Sequence, residues 1–350
     1  MHSLNILTPL AILATLSFAA PYPAPDTVPR SPSSSFASDE AKDLYRGWNI
    51  AFYDDFNTTS SSPDPDKWVF STGTSYPGGP ANWGNGEVQE YTSSPSNVYI
   101  SRHNKKTMQV DNSASLSSSI SFLNIVPERS SSASDMSTAS AGSWTSARLE
   151  TNPSYSFTCP PSGQLRMEAC FRLGDASANT QLGIWPAFWA LGTAFRGNYT
   201  NWPAVGEIDI FEAVNGHATS MHTVHCGTNP GGPCNEPNGL SKHVDNGALR
   251  NSWLVVSVTI DRSRSGGWQN EALVWRINGT EVYSLTGGDV GDMAAWAALA
   301  HSDHFLLLNV AVGGALPNAL AATQTPVAAT EGGPGSGMQV SYVGVFTRDS

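Results

Sequence analysis

Short apolar stretches separated by turn residues dominate the chain from Trp48 onward. Several of them alternate apolar and polar positions with a period of two, which is the pattern of half-buried antiparallel strands. The clearest examples are residues 163–171, 253–260, 273–279 and 338–345. Many short strands with almost no helix predict an all-β fold, a β-jelly-roll sandwich of two antiparallel sheets.

Two local signals refine this prediction. Asn278-Gly279 lies between two strand-like stretches and is typical of a tight hairpin turn. The one good helix candidate is short, at residues 292–302. Because residues 46–350 show no break in composition and no internal repeat, we predict a single domain over that range.

The N-terminal 45 residues differ from the rest of the chain. Residues 1–20 contain a short apolar run that leads into Ser17-Phe18-Ala19-Ala20, a small-residue cleavage site, and this is the pattern of a signal peptide. The run is too short to span a bilayer, which needs about 20 apolar residues. Residues 21–45 are rich in Pro and Ser and are predicted to be disordered. We therefore expect a secreted, extracellular protein.

Composition narrows the range of partners. Charged residues make up only 13% of the chain, and the formal net charge is -11. An acidic surface repels nucleic-acid phosphates and anionic lipid headgroups, so neither nucleic acid nor a membrane is an expected partner. A neutral ligand is favoured, and sugars are the obvious neutral polymers outside a cell.

The cysteines and the N-glycosylation sequons are both consistent with an exported protein. Four cysteines are an even number and allow three pairings. Cys226 and Cys234 flank a Gly/Pro-rich turn and are the easiest pair to close, whereas a disulfide between Cys159 and Cys170 follows only by elimination. No His/Cys spacing typical of a metal site is present. Three sequons predict N-glycosylation at Asn57, Asn198 and Asn278.

Three acids lie within six residues in the segment 207-EIDIFE-212. A helix would point Glu207 and Glu212 roughly 140° apart. On a regular strand Glu207 and Asp209 share a face, while Glu212 falls on the opposite one. One extra residue, a β-bulge near Ile210 or Phe211, would bring all three acids to one face.

Glycoside hydrolysis uses such a cluster. One carboxylate must stay ionised to attack the anomeric carbon, and another must stay protonated to release the leaving oxygen; a retaining enzyme needs them about 5–5.5 Å apart. Asp209 between Glu207 and Glu212 could share a proton and keep Glu212 neutral. Acids on a strand are also typical of a solvated face or a calcium site. The indoles of Trp185 and Trp189 upstream favour the catalytic interpretation, because sugar rings stack on such platforms.

The chain resembles glycoside hydrolase family 16, in particular its laminarinase-like fungal branch with a bulged ExDxxE motif. The resemblance covers residues 46–346 and rests on ordered segments, which are residues 85–92, 146–151, 183–192, 202–212 and 305–314 together with His225. It implies a β-jelly roll with an open substrate cleft on the concave face. It also implies retaining hydrolysis with Glu207 as nucleophile, Glu212 as general acid and base, and Asp209 as assisting carboxylate.

The resemblance further implies a set of sugar contacts and a substrate. Trp202 and Trp189 would border the sugar subsites, and polar contacts would come from Asn85, Glu87, Arg148 and His225. Some of these residues have structural alternatives: Trp189 could belong to the core, and Arg148 could pair with Glu150. No cofactor is implied; a structural calcium is common in the family, but no acidic loop here singles itself out.

The leading hypothesis is an endo-acting hydrolase of β-1,3-glucan, or of mixed β-1,3/1,4-glucan, that works as a monomer. The same carboxylates would serve a cell-wall transglycosylase, in which an acceptor sugar replaces water. A hydrolase of another β-1,3-linked polysaccharide, such as galactan, also fits the motif. A sugar-binding protein on the same sandwich fits less well, since all three carboxylates are present.

Overall fold

Residues 45–104, 119–130, 144–247 and 249–350 are described by a computed structural model. Most of the strands in these ranges belong to two antiparallel sheets. In chain order the strands are β1 Asn49–Asp54, β2 Trp68–Phe70, β3 Glu90–Tyr91, β4 Val98–Asn104, β5 Ser119–Ile125, β6 Glu128–Arg129, β7 Trp144–Ser146, β8 Arg148–Thr151, β9 Gln164–Leu173, β10 Ile184–Gly192, β11 Glu207–Glu212, β12 Thr219–His225, β13 Leu240–Asp245, β14 Leu254–Asp261, β15 Ala272–Ile277, β16 Thr280–Thr286, β17 His304–Val312 and β18 Met338–Arg348.

The helices that the structure describes are short. The α-helices are α1 Gly287–Val290, α2 Met293–Ala300 and α3 Ala315–Ala321, and single 3₁₀ turns lie at Ala81–Gly84, Ala178–Thr180, Thr193–Phe195, Trp268–Asn270 and Pro334–Ser336. The carboxylate of Asp292 caps α2 by accepting a hydrogen bond from the backbone N–H of Ala295 at 2.9 Å. The longest α-helix in the described ranges has eight residues, and none of the helices there could cross a membrane.

The two large sheets form the layers of a sandwich. The first sheet has eight strands in the order β16-β15-β14-β9-β18-β5-β4, with β1 added along β18. The second sheet has seven strands in the order β13-β12-β11-β10-β17-β8-β2, and a small third sheet joins β3, β7 and β6. The predicted sandwich of two antiparallel sheets is therefore confirmed.

Apolar side chains from both sheets fill the space between them. Phe171 of β9 meets Phe211 of β11 edge to face with ring centroids 4.8 Å apart. The indole of Trp275, on β15, donates a hydrogen bond to the backbone carbonyl of Asp209 at 3.1 Å. All three side chains are fully or almost fully buried, and truncation of such a buried aromatic costs about 3–5 kcal/mol. The eight-stranded sheet therefore holds the middle of β11 from behind.

The local predictions within the described ranges hold. Asn278 and Gly279 form the turn between β15 and β16, both with positive φ, as a type I′ hairpin turn requires. The predicted helix is α2, and the four alternating stretches are β9, β14, β15 and β18. The predicted signal peptide at residues 1–20 and the Pro/Ser-rich segment at residues 21–45 lie outside the described residues, apart from Tyr45.

The cysteine prediction is half right. Cys226 and Cys234 form a disulfide with their Cα atoms 5.3 Å apart. The prediction of a Cys159–Cys170 disulfide is wrong, because both thiols are free and buried. Cys159 precedes β9 and Cys170 lies six residues beyond Gln164, the first residue of that strand, so about 20 Å of extended chain separates Gln164 from Cys170. A disulfide requires Cα atoms within about 7 Å.

Candidate active site

An extra residue in β11 changes the direction of its last side chain. Phe211 pairs with Phe188 of β10, and Asp209 pairs with the next residue, Trp189, so Ile210 has no partner on that strand. The register with β12 shifts over the same residues. Ile210 and Phe211 are both fully buried in the core. This is the predicted β-bulge.

The bulge places the three acids on one face. Glu207, Asp209 and Glu212 pair with three residues of β10 that alternate along that strand and so share a face, which are Leu191, Trp189 and Ala187. Gly206, just before β11, has a φ of 78°, and a Cβ there would lie 2.6 Å from the carbonyl oxygen of Ala298 in α2. The chain therefore enters β11 through a position that accepts only glycine without strain.

The same face continues across the neighbouring strands. The pairing register carries it from β11 to β12 and β13 on one side and to β10, β17 and β8 on the other. In cross-strand order its polar and aromatic positions include Ser241 and His243, then Thr223 and His225, then the three acids, then Trp185 and Trp189, then Phe305 and Asn309, and then Arg148 with Glu150.

Glu212 is the acid best suited to hold a proton. Its side chain is 8% exposed, and the indole N–H of Trp185 donates to its Oε1 at 2.9 Å. Burial raises the pKa of Glu212 to about 7, and the negative charge of Glu207 adds to this, while His225 and the Trp185 hydrogen bond act in the opposite direction. A carboxyl group with this pKa is protonated in mildly acidic solution.

Glu207 is more exposed than the other two acids and has more compensation for its charge. The indole N–H of Trp202 donates to its Oε2 at 3.2 Å. Burial raises the pKa of Glu207, but the positive charges of His225 and Arg148 oppose that rise. Glu207 is therefore the acid that ionises more readily than Glu212, as the nucleophile of a retaining mechanism must.

Asp209 is the most deeply buried of the three, at 4% exposure. Burial and then the charges of Glu212 and Glu207 raise its pKa well above the ordinary value. Its Oδ2 atom has no hydrogen-bond partner and lies 3.5 Å from Nε2 of His225. Asp209 is thus neutral over the range in which Glu207 ionises, which fits the predicted sharing of a proton within the cluster.

His225 faces the acids from β12. Its ring centroid lies 5.4 Å from that of Trp202, and its Nδ1 atom lies 2.7 Å from Oε2 of Glu236. Burial alone would lower its pKa, but the hydrogen bond with Glu236 and the charges of Glu207 and Glu236 outweigh burial and raise it. His225 is therefore the group that supplies positive charge on this side of the cluster.

Glu236 is a functional candidate that the sequence analysis missed. It is buried in the loop after β12, beside the Cys226–Cys234 disulfide. A signal for it was present, because closing that disulfide brings the residues after Cys234 back to the end of β12, where His225 lies. An acid two residues beyond Cys234 is then within reach of the imidazole.

The described part of the chain offers one group of side chains that could hold a metal ion. One donor atom each from Glu207, Asp209 and His225 lies within 4.8 Å of the others. Two carboxylates and an imidazole suit a transition metal better than calcium. These are also the residues of the acid cluster, so the calcium mentioned for the family gains no ligand set from them.

Beside the acids, on the side of β10, β17 and β8, the face carries aromatic rings that surround Arg148. The guanidinium of Arg148 is 5% exposed and lies 4.8 Å from the ring centroid of Trp189 and 4.6 Å from that of Trp83. Tyr76 accepts a hydrogen bond from Arg148 at 2.8 Å and donates one to Glu150. Arg148 therefore supports rings beside the acids, and Trp83 and Tyr76 join the predicted Trp189 there. The face that carries these rings and the three acids is called the groove.

A buried network lies behind these rings. Trp189 donates to Oδ1 of Asn309 at 2.8 Å, and Asn309 in turn donates to the hydroxyl of Tyr91 at 3.0 Å. That hydroxyl donates to Oε2 of Glu87 at 2.7 Å, and Asn85 donates to Oε1 of Glu87 at 3.0 Å. Glu87 is only 4% exposed, so it holds its neighbours in place, whereas Asn85 is partly exposed and can reach a ligand.

The three predicted glycosylation positions, Asn57, Asn198 and Asn278, are all exposed on turns or loops. Their modification remains a prediction.

Comparison with known proteins relates this geometry to a family. A family model described as "XgeA-like, catalytic GH16 domain" matches residues 173–253, which include β10 to β13. The solved structure of an endo-1,3-β-glucanase from Streptomyces sioyaensis is 38% identical with a TM-score of 0.73, over 87% of this chain and 98% of that one.

Two curated relatives are longer than this chain. The glucan endo-1,3-β-glucosidase A1 of Niallia circulans is 28% identical over 307 residues, which are 86% of this chain but 38% of that protein. The β-1,3-glucan-binding protein of Penaeus monodon is 30% identical over 185 residues, 49% of this chain and 47% of that protein. This chain therefore spans less than half the length of either.

The fold and the acid cluster agree with these matches. The jelly-roll sandwich matches the Streptomyces structure along nearly all of that chain, and the family model covers the bulged strand that carries the three acids. The resemblance is confirmed at the level of the family, while the fungal branch stays a prediction: this chain belongs to glycoside hydrolase family 16.

Proposed function

We propose that this glycoside hydrolase cleaves internal bonds of β-1,3-glucan with retention of anomeric configuration. The observation that carries the proposal is the bulge at Ile210, which presents Glu207, Asp209 and Glu212 on one face in environments that differ in how readily each acid ionises. Two carboxyl groups in opposite protonation states are what retaining glycoside hydrolysis requires.

In the first step, an ionised oxygen of Glu207 attacks the anomeric carbon of the sugar on the non-reducing side of the bond that is cleaved. The carboxyl proton of Glu212 passes to the glycosidic oxygen as the bond to the leaving chain breaks. Trp202 holds Glu207 through its indole N–H, and Trp185 holds Glu212 in the same way. Asp209 stays protonated between them and limits the repulsion that a third negative charge would add.

In the second step, Glu212, now ionised, takes a proton from a water molecule. The resulting hydroxide attacks the anomeric carbon, breaks the ester bond to Glu207 and releases a product with the original configuration. If a sugar hydroxyl replaces the water, the same chemistry lengthens a chain. The transglycosylase alternative thus differs only in what enters the acceptor side of the groove.

The choice of β-1,3-glucan rests on relatives. The Streptomyces sioyaensis structure is of an endo-1,3-β-glucanase, and the Niallia circulans protein is a glucan endo-1,3-β-glucosidase. Mixed β-1,3/1,4-glucan is a further expected substrate, and β-1,3-galactan is the alternative with another sugar. The Penaeus monodon relative is a β-1,3-glucan-binding protein, so binding without cleavage is the contrasting function to test.

The test is a panel of soluble polysaccharides, namely laminarin, barley mixed-linkage glucan, β-1,6-glucan and β-1,3-galactan. We expect new reducing ends from laminarin, with oligosaccharides of several lengths early in the reaction, as internal cleavage produces. Elongated products in excess of reducing ends would favour the transglycosylase. Laminarin binding with no new reducing ends would contradict the proposal and support a binding protein.

Two variants test the roles of the carboxylates. Glu207→Gln and Glu212→Gln should each lower kcat on laminarin by at least about 10²-fold, since each removes a positioned acid or nucleophile. Both keep the size of the side chain, and a Tm no lower than that of the parent would confirm an intact fold. Activity of Glu207→Gln within tenfold of the parent would exclude it as the nucleophile.

Export and a monomeric state are also part of the proposal. The Cys226–Cys234 disulfide and the exposed positions of Asn57, Asn198 and Asn278 support an oxidising, extracellular setting. Expression of the full chain in a eukaryotic secretory host should yield a glycosylated protein in the medium with residues 1–20 removed. Light scattering should give the mass of one chain.

A further inference from the structure

Glu236 makes directed contacts with the end of β12 through both of its oxygens. Oε1 accepts a hydrogen bond from the backbone N–H of Cys226 at 2.9 Å. Oε2 lies 2.7 Å from Nδ1 of His225. The side chain of Glu236 is fully buried, at 0% exposure. Because a carboxylate can only accept, this geometry makes Nδ1 of His225 the donor and leaves Nε2 directed at the acid cluster, 3.5 Å from Asp209.

The loop that carries Glu236 is built to hold this position. The Cys226–Cys234 disulfide closes it, and Gly231 and Glu236 exchange backbone hydrogen bonds at 2.7 and 2.6 Å. Gly239 then packs against the imidazole: it has a φ of 71°, and a Cβ there would lie 2.9 Å from Cε1 of His225. The loop therefore leaves no free space for the imidazole to turn on that side.

The charges that face His225 come from two elements. Strand β11 presents Glu207, Asp209 and Glu212, and the disulfide loop presents Glu236. On β13, Leu240 pairs with Val224, while Lys242 and His243 pair with His222 and Met221, three and four residues along β12 from His225. Four acids thus surround one imidazole, and Glu236 is the one on the side away from the groove.

We propose that Glu236 is a positioning residue for hydrolysis, which fixes His225 as an imidazolium with Nε2–H toward Asp209 and so keeps a positive charge beside Glu207. The inference rests on the proposed function and deepens it. A carboxylate that orients an imidazole through Nδ1 fixes both the tautomer and the direction of the other nitrogen. Without Glu236, burial would favour the neutral ring, and Glu207 would lose the charge that opposes its protonation.

The first test is the pKa of His225 in the wild-type protein, measured by NMR titration of the imidazole and assigned from the spectrum of His225→Gln. We expect a pKa above the ordinary value of about 6.5. A value at or below 6.5 would overturn the proposal. This readout needs no variant of Glu236 to fold and no substrate, so it is independent of whether the enzyme cleaves laminarin.

The second test is Glu236→Gln, which keeps an oxygen for the N–H of Cys226 but removes the charge. The kcat/KM on laminarin should fall by about tenfold or more, as loss of a hydrogen bond to a charged group predicts. The acid limb of the pH profile should move upward by up to about one unit, because the loss of the positive charge of His225 affects the pKa of Glu207 more than the loss of the opposing negative charge of Glu236 does. The pKa of His225 should fall in the same variant.

A merely structural role for Glu236 gives a different result. Loss of activity with an unmoved acid limb and an unchanged pKa of His225 would overturn the proposal, as would full activity. Glu281→Gln is the matched control, because Glu281 is an exposed glutamate on β16 paired with Arg276 at 3.3 Å. That variant should keep the parent's kcat/KM and pH profile. A wild-type protein that fails to cleave laminarin would instead contradict the proposed function.

Discussion

The hydrogen bond from Trp185 to Glu212 lowers the upper pH limit of the reaction, and Trp185→Phe removes this bond while keeping an aromatic ring. The indole N–H donates to Oε1 of Glu212 at 2.9 Å, and this bond lowers the pKa of a carboxyl that burial has raised to about 7. A hydrogen bond to a charged group contributes about 1.5–3 kcal/mol, and one pKa unit corresponds to about 1.4 kcal/mol. Because Glu212 is only 8% exposed, water can replace little of the lost bond.

The expected result is a rise in the pKa of Glu212 by about one to two units. Glu212 must be protonated to act as the general acid. A higher pKa of Glu212 therefore keeps the enzyme active to higher pH. The assay is kcat/KM on laminarin between pH 4 and pH 10, whose alkaline limb reports this group in the free enzyme. The limb should lie near pH 7 in the parent and higher in Trp185→Phe.

The control is Trp189→Phe. Its indole N–H donates to Asn309, not to a carboxylate, and it also borders the groove. Its alkaline limb should therefore stay where the parent's is, even if kcat/KM falls through weaker sugar binding. An alkaline limb that is unmoved or shifted to lower pH in Trp185→Phe would show that this hydrogen bond does not lower the pKa of Glu212.

Three further predictions concern stability. Asp209→Asn should raise Tm at pH 8 more than at pH 4, because the raised pKa of Asp209 means that stability is lost as pH rises and the buried acid ionises; thermal unfolding at both pH values checks this. The double variant Cys226→Ser/Cys234→Ser should lose about 2.5 kcal/mol of unfolding free energy in urea, as expected for a closed loop of this length. Burial lowers the pKa of His304 to about 4, so the loss of unfolding free energy in urea between pH 7 and pH 4 should be about 3 kcal/mol larger in the parent than in His304→Gln.

The sequence was most informative where residue spacing left few solutions. Glu207, Asp209 and Glu212 can share a face of a strand only if one residue is added, and the structure adds it at Ile210. The hairpin at Asn278-Gly279 was equally constrained, because two adjacent positions with positive φ exclude most residue types. In both cases local stereochemistry determined the result.

Contacts made by residues in long loops could not be predicted from the spacing of residues along the sequence. Tyr76 and Trp83 reach the groove from the segment between β2 and β3, and no periodicity there indicates which ring will lie on Arg148. Glu87 falls in a segment that resembles the family, yet the structure buries it under Tyr91. Only the three-dimensional packing distinguishes a residue that touches sugar from one that supports it.

One of the two predicted disulfides does not form. An even number of cysteines suggested that Cys159 and Cys170 pair, but a strand that starts between them keeps them apart. The disulfide that does form was predicted from its Gly/Pro-rich turn, and its consequence for Glu236 was available from the same observation. A disulfide also brings the residues beside it together, as this one does for Glu236 and His225.

In the proposed mechanism, the bulged strand offers Glu207 as the nucleophile and Glu212 as the acid and base. The most direct measurement is to trap the intermediate with a 2-deoxy-2-fluoro laminaribiosyl fluoride, which forms the glycosyl-enzyme and slows its hydrolysis, and to locate the added mass by fragmentation of the labelled peptide. We predict one sugar adduct, attached to Glu207. An adduct on Asp209 or Glu212, or a product released with inverted configuration and no adduct, would contradict the account.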